Sequence, residues 1–153
     1  MLDTTQLLTA AERDGVQKLV VGAVIERGGD VLILRRAQGE DFSGLHEIPS
    51  GTVDAGEDLI GALRREVSEE TGLTVERVLR YVNSFDYLSG SGRKTRQLNF
   101  AVEASGGPVT LNPHEHDEAL WADPVSARFE ALNLSKETRA SILAALDGGA
   151  PTT

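Results

Sequence analysis

The sequence contains no cysteine and few aromatic residues: its 153 residues include one tryptophan, two tyrosines and four phenylalanines. Without cysteine, disulfides, thiolate metal sites and a cysteine nucleophile are excluded. No apolar run reaches the roughly 18–20 residues that a membrane-spanning helix needs. The N-terminal stretch MLDTTQLLTAAERDG lacks the sustained apolar core of a secretory signal. We therefore expect a cytoplasmic protein with no membrane association.

Basic residues are also scarce, with 15 Lys and Arg against 24 Asp and Glu and a formal net charge of −9. Loose binding to nucleic acid depends on Lys and Arg neutralising phosphates, so we expect no nucleic-acid partner. A small anionic substrate stays compatible with this charge if divalent cations screen the site. The hydrophobic content of 40% is ordinary for a globular chain. The length fits one domain with a single core.

The order of elements predicts a short extension over residues 1–15, one domain over residues 16–147 and a flexible tail over residues 148–153. Gly15 would end a short helix around Thr9–Arg13 in the extension. Mixed strands with two principal helices favour an α+β fold or a three-layer α/β/α sandwich. A polar, glycine-rich connection over residues 38–58 has the length of a functional loop. Strands are predicted at 16–26, 31–35, 75–88, 94–104 and 119–124, and helices at 58–71 and 134–146.

The clearest helix carries Glu66, Glu69 and Glu70, which fall within an arc of about 100°. The Glu66 and Glu70 charges are spaced i,i+4, a repulsion that costs an isolated helix roughly 0.2–0.5 kcal/mol. Hard divalent cations prefer oxygen ligands, and bound Mg²⁺ would offset this repulsion. The alternative is a solvated acidic face in which Arg65 pairs with Glu69.

The surrounding residues fit the pattern G-x5-E-x7-R-E-U-x-E-E-x-G-U, where U is apolar. A chance match is expected on the order of 10⁻⁷ times per chain at ordinary residue frequencies. The pattern resembles the signature of the Nudix hydrolases, in the short MutT-like form. The resemblance implies an α/β/α sandwich with a mixed central sheet. It also implies a hydrolase that cleaves a nucleoside diphosphate linked to another moiety, using Mg²⁺ or Mn²⁺ and an attacking water. The matching residues are Gly51, Glu57, Arg65, Glu66, Val67, Glu69, Glu70, Gly72 and Leu73.

The match also implies a role for each polar residue. Glu66 or Glu69 would help to position or deprotonate the water, and Arg65 and Glu57 would orient the carboxylates. The expected metal ligands are the Gly51 carbonyl and the side chains of Glu66, Glu69 and Glu70.

Members of the family often use one more acid from a loop before the last core strand. The segment NPHEHDEALW offers Glu115, Asp117 and Glu118. We expect Glu115 to be the additional metal ligand, with solvated loop charges as the alternative. His114 and His116 could bind metal, but loop hydrogen bonding is the simpler role for both.

The text before the motif departs from the family's usual Trp-Glu-Leu-Pro-Gly-Gly. Here it reads HEIPSG, with His46 in place of the aromatic residue and Ser50 in place of the first glycine. Neither belongs to the expected metal set. Ser50 would change the turn, and His46 would change the pocket wall.

Substrate choice is carried by other segments. Phe85 and Tyr87 could stack on a base, and Arg96 could contact phosphates. No additional signature of ADP-ribose, dinucleoside polyphosphate or coenzyme A hydrolases is present. The sequence therefore favours a (d)NTP or modified nucleotide, cleaved to monophosphate and pyrophosphate.

Other functions remain open from sequence alone. One is hydrolysis of ADP-ribose, a nucleotide sugar or another organic diphosphate. Another is a nucleotide sensor without turnover, which the intact acids disfavour. Isopentenyl diphosphate isomerisation is disfavoured by the absence of cysteine. A homodimer is compatible with the sequence but is not indicated by any motif.

Overall fold

The computed structural model describes residues 3–147, with the Asp147 side chain excluded. The predicted tail, residues 148–153, lies outside this range. Helices are α1 (Thr5–Arg13), α2 (Leu59–Thr71), α3 (Ala127–Glu130) and α4 (Lys136–Asp147). Strands are β1 (Lys18–Arg27), β2 (Asp30–Arg36), β3 (His46–Glu47), β4 (Ser50–Thr52), β5 (Val75–Leu88), β6 (Lys94–Ala104) and β7 (His116–Ala122). Within residues 3–147, no helix is both long enough and apolar enough to cross a membrane.

The strands form one mixed sheet. Its main path runs β3-β2-β1-β6-β5, with β4 paired to β1 and β7 paired to β2. β1 and β6 run parallel, whereas the other paired strands are antiparallel. The parallel pair lies at the centre, so the two halves of the chain meet along β1 and β6.

Alternate side chains of the central strands point to opposite faces, as the period of two requires. In β1, Val21, Ala23 and Ile25 pack in a core with α2, whereas Val24 packs in a second core with α4. The two helices therefore cover opposite faces of the sheet. This arrangement is the predicted α/β/α sandwich.

Local signals at both ends explain where α2 begins and ends. Asp58 is the N-cap, and its carboxylate accepts a hydrogen bond from the Gly61 N–H at 2.6 Å. Such caps are worth about 1 kcal/mol. Gly72 adopts a left-handed conformation with φ of 72° and ends the helix. The observed helix therefore matches the predicted range 58–71, except that Asp58 is its N-cap and not its first helical residue.

Several boundaries differ from the sequence predictions. α1 begins at Thr5, four residues before the predicted start, and β7 begins at His116, three residues early. The predicted loop over residues 38–58 contains β3 and β4. These two short strands show no alternation of their own and exist because they pair with β2 and β1. The short helix α3 had no counterpart in the predictions.

Candidate active site

β4 lies directly against the acidic side of α2. A side chain added at Gly51 would overlap the carboxylate of Glu66, so only glycine leaves room for it. The Glu66 side chain is 14% exposed. Burial raises the pKa of Glu66, and the nearby Glu69 and Glu115 carboxylates add to this, while Arg65 opposes it. The Gly51 backbone and the Glu66 carboxylate are therefore adjacent groups in a partly dry site.

Arg65 connects three acids of the motif, Glu57, Glu66 and Glu69. Its Nε and Nη2 bond the two carboxylate oxygens of Glu57 at 2.8 and 2.9 Å, a bidentate pair. Its Nη1 donates to Glu66 at 2.8 Å and to Glu69 at 3.2 Å, and Nη2 also donates to the Thr52 carbonyl. Hydrogen bonds from Arg65 and from the Asp54 N–H lower the pKa of Glu57 to about 2. Glu57 is thus a permanent anion that fixes the direction of the guanidinium.

Glu70 is the most buried acid of the helix, with 8% of the residue exposed. Burial raises its pKa to about 9, and the neighbouring Glu66, Glu47 and Glu115 carboxylates act in the same direction. One hydrogen bond opposes this, from the Ser50 N–H to Oε1 at 3.0 Å. A carboxylate in this position is costly unless a cation compensates it.

The first residue of β7 and the loop before it bring a histidine and a further acid to Glu70. One ligand atom each of Glu70, Glu115 and His116 lies within 4.8 Å of the others. His116 is buried, and its Nε2 contacts Glu47 Oε2 at 2.7 Å. Within residues 3–147, its Nδ1 is the one enclosed side-chain N or O atom that has no hydrogen-bond partner. His114, by contrast, is exposed.

Asp117 and Glu118, which the sequence assigned to the loop, lie in β7 and are engaged elsewhere. Arg35 Nε donates to Asp117 at 2.8 Å, and its Nη1 lies 3.8 Å from Glu118. His46 accepts a hydrogen bond from the Asn133 N–H through Nδ1 at 3.0 Å, so it holds the loop before α4 and is not a cleft-lining residue. Ser50 keeps an ordinary backbone conformation and lines the cleft.

A cleft of about 820 Å³ begins at β4 and extends over the α4 face of the sheet. This volume is within the usual range for a site that takes a small-molecule ligand. Ser50, Gly51 and Thr52 line it on the side of the acids. Phe42 lies at its rim, 78% exposed, and is the one non-glycine residue with positive φ in the described part of the chain.

Two of the three predicted substrate contacts line this cleft. Phe85 and Tyr87 are both present in its wall, with ring centroids 6.0 Å apart. Arg96 is not a lining residue. Its guanidinium bonds Asp86 at 2.7 and 3.0 Å and Asp14 at 2.9 Å, and only 13% of its side chain is exposed. Arg96 therefore reaches the cleft only through Asp86, which does line it.

Several residues of the cleft wall were not predicted from the sequence, among them Glu47 and Gln97. Glu47 lies between Arg36, at 3.2 Å, and His116, at 2.7 Å. Gln97 projects from β6 and is nearly buried. Glu47 belongs to the HEIPSG segment, whose glutamate could have been a signal. Gln97 carries no local signal, because its position depends on the pairing of β1 with β6.

These residues fit a divalent cation. The Glu66 and Glu70 carboxyls are destabilised as anions by their burial. The Glu70 cluster contains an enclosed nitrogen without a partner, and the carboxylate donors are the type that Mg²⁺ and Mn²⁺ accept.

The family model that describes the NUDIX domain matches residues 16–146 of the sequence. The chain belongs to the Nudix family. Its α/β/α sandwich and the position of the motif helix agree with this assignment. As a Nudix protein with its motif acids intact, it is a hydrolase of the pyrophosphohydrolase type.

Two relatives and one solved structure illustrate the similarity of this Nudix chain to known proteins. The CTP pyrophosphohydrolase of Escherichia coli (strain K12) is 37% identical over 108 residues, which cover 71% of this chain and 77% of the relative. The putative 8-oxo-dGTP diphosphatase 2 of Mycobacterium tuberculosis (strain ATCC 25618 / H37Rv) is 42% identical over 99 residues, or 65% and 70% of the two chains. The solution structure of the E. coli ORF135 protein superposes with a TM-score of 0.72 and 28% identity, covering 92% of this chain and 98% of that one.

Proposed function

We propose that this protein hydrolyses the diphosphate linkage of a nucleoside triphosphate or a modified nucleotide, releasing the monophosphate and pyrophosphate. The observation that carries the proposal is the contact between the motif helix and the cleft. The carboxylate of Glu66 lies against Gly51, and Gly51 lines a cleft that can hold a nucleotide. Two relatives named for hydrolysis of CTP and 8-oxo-dGTP support the substrate class.

The chain would hold Mg²⁺, or Mn²⁺, through oxygen ligands. The proposed ligands are the Gly51 carbonyl and the carboxylates of Glu66, Glu69, Glu70 and Glu115. When bound, such an ion neutralises phosphate charge and makes water more acidic. His116 would hold the buried side of the cluster. It is fixed by its contact with Glu47 and lies beside Glu115 and Glu70.

The residues of α2 would then perform different tasks. Glu66 is partly buried and held by Arg65 at 2.8 Å, which suits a fixed ligand. The Glu69 side chain is 56% exposed, and its contact with Arg65 is longer, at 3.2 Å. Glu69 is therefore the freer of the two candidates to take a proton from the attacking water. Arg65 would keep both carboxylates aligned, and Glu57 would keep Arg65 aligned.

The opposite end of the cleft would take the nucleoside. Phe85 and Tyr87 offer aromatic faces for a base, a contact that suits any base because each has a π-face. Arg96 would hold Asp86 in position in the cleft wall and would not contact the substrate itself. The diphosphate would lie between these groups, next to β4.

The test is product release from a panel of nucleotides with Mg²⁺, compared with the same assay in EDTA. The panel would contain canonical and oxidised (d)NTPs, ADP-ribose, nucleotide sugars and dinucleoside polyphosphates. Metal-dependent release of a nucleoside monophosphate from (d)NTPs is expected. Preference for another class would reassign the substrate, and binding without turnover would favour a sensor. A Glu69→Gln variant should lose turnover by orders of magnitude with an unchanged circular dichroism spectrum, and a folded, fully active variant would contradict the proposed role of Glu69.

A further inference from the structure

Two amide side chains meet on the cleft face of β6. Leu98 and Phe100 point into the α2 core, so Gln97 and Asn99 point to the α4 side. Both are nearly enclosed, with 8% and 0% of the residue exposed. The space they occupy exists because their neighbour in β1 is Gly22. A Cβ there would overlap Asn99 Oδ1 and lie 2.8 Å from Gln97 Nε2.

The hydroxyl group of Ser141 fixes the direction of the Asn99 amide. Ser141 Oγ donates its one proton to the Glu137 carbonyl, one helical turn earlier, at 2.9 Å. Oγ can therefore only accept from Asn99, whose Nδ2 lies at 3.1 Å. The second proton of Nδ2 is directed at Asn83 Oδ1, at 3.2 Å. Asn99 must then present its oxygen to Gln97.

The direction of Asn99 in turn fixes that of Gln97. Asn99 Oδ1 accepts from Gln97 Nε2 at 2.8 Å, and this bond leaves Gln97 Oε1 on the other side of the amide. Within residues 3–147, no side-chain or main-chain donor bonds to Oε1, yet this atom is not enclosed, since His116 Nδ1 is the one enclosed atom without a partner. Gln97 lines the cleft. Its oxygen is thus an acceptor of fixed orientation that is not fully enclosed in the wall of the cleft.

We propose that Gln97 selects nucleotides whose base carries an exocyclic amino group, as cytosine and adenine do. This inference rests on the proposed function, because it assigns the base end of the same cleft. Gln97 is the cross-strand partner of Phe85, so an aromatic face and a hydrogen-bond acceptor lie side by side there. An amino group donates to Oε1. A keto group in its place sets two acceptors against each other and leaves both unpaired, which is penalised because Gln97 is only 8% exposed.

The expected consequence is a preference for the amino member of a matched pair. We expect kcat/KM for CTP to exceed that for UTP, and ATP to exceed ITP, each by about tenfold, the ratio that one net hydrogen bond gives. Gln97→Met keeps the length of the side chain and removes the acceptor, together with the hydrogen bond that Nε2 donates to Asn99. It should bring both ratios close to one while hydrolysis continues.

Ser141→Ala tests the orientation, since Ser141 is not among the residues that line the cleft. Without Oγ as an acceptor, the amide chain loses its fixed direction, and both ratios should fall towards one. Leu143→Ala, on the exposed side of the same helix, is the matched control for a general effect on α4 and should leave the ratios unchanged. If Ser141→Ala only disturbed the packing of α4, activity on the amino and the keto nucleotide of each pair would fall equally.

Equal kcat/KM for CTP and UTP in the wild type, or unchanged ratios in Gln97→Met, would overturn the inference. Titration calorimetry of CTP and UTP without Mg²⁺ gives the same comparison from dissociation constants. A protein that bound CTP over UTP, lost this preference in Gln97→Met and hydrolysed neither would support the inference and refute the proposed function. Hydrolysis of both with no preference would support the function and refute the inference.

Discussion

The carboxylate of Glu66 occupies the space that a side chain on Gly51 would need. The two residues lie on different elements, a short edge strand and the motif helix. Their contact joins the cleft to the acids. A carboxylate is the far end of a flexible side chain, so a methyl group at residue 51 would displace it without unfolding the core.

Gly51→Ala is therefore expected to separate function from stability. Turnover should fall by at least about 100-fold, since a displacement near 1 Å at a reacting site can cost that much. The melting temperature should change little. Steady-state kinetics and a thermal melt check this. Gly106→Ala is the control, because no atom lies within 4 Å of its added methyl group and its φ is not positive.

Arg65→Lys should weaken the site even though it preserves the charge. A lysine cannot make the bidentate pair with Glu57 while also bonding Glu66, because it lacks the planar fork. We expect a loss of about 10- to 100-fold in kcat or in Mn²⁺ affinity, the usual effect of removing a group that orients metal ligands. Electron paramagnetic resonance of bound Mn²⁺ measures the affinity directly. Arg77→Lys, in an exposed pair with Glu103, should leave both quantities unchanged.

Glu70 is expected to make the metal-free protein less stable as the pH rises. Its pKa is raised from 4.5 to about 9 in the folded state. Between these values the folded state binds one proton more than the unfolded state, so the free energy of unfolding falls with increasing pH. The slope for one proton is about 1.4 kcal/mol per pH unit. The contribution of the protonated Glu70 carboxyl to the free energy of unfolding is fully present below the unfolded pKa. It is lost as the pH rises through the folded pKa.

Urea denaturation in EDTA across this window should show the decline, and Glu70→Gln should remove most of it. Added Mg²⁺ should restore stability in the wild type at high pH, because a bound cation favours the ionised carboxylate. A wild-type slope equal to that of Glu70→Gln would show that the buried carboxyl does not titrate as its surroundings require.

Glu115→Gln and Asp117→Asn form a matched pair two residues apart. Glu115 lies with Glu70 and His116, whereas Asp117 is bound by Arg35. We therefore expect Glu115→Gln to lower Mn²⁺ affinity and Asp117→Asn to leave it unchanged. Isothermal titration of each variant with Mn²⁺ gives the comparison. If both variants lost Mn²⁺ affinity equally, the two acids would attract the cation only through their negative charge and Glu115 would not be a ligand.

The sequence predicted the elements whose signals are local. The motif helix was found because Asp58, Gly72 and the spacing of the apolar residues all belong to one short segment. The alternation of Leu98 and Phe100 likewise located β6. Alternation alone, however, assigns the polar positions to solvent, whereas Asn99 is fully buried under α4.

The remaining differences arise from tertiary partners. The positive charge of Arg96 predicted a phosphate contact, but Asp14 and Asp86, brought close by folding, already bind it. β3 and β4 were missed because their strand character comes from pairing. Glu115 was preferred over Asp117 and Glu118 from its place in the loop, and the structure puts it nearest to the α2 acids, although its role as a ligand stays a prediction.

The parallel pairing of β1 with β6 has a consequence for the order of folding. Ser50 and Glu70, whose contact joins β4 to α2, are 20 positions apart, whereas Gln17 and Lys94, which bond where β1 and β6 begin to pair, are 77 positions apart. Short loops close at lower entropic cost than long ones. The end of the cleft at β4, where we propose that the diphosphate lies, is thus assembled from neighbouring segments. The wall that contains Gln97 is completed only when distant halves of the chain join. During refolding, the contact of Ser50 with Glu70 should therefore form before discrimination between bases returns.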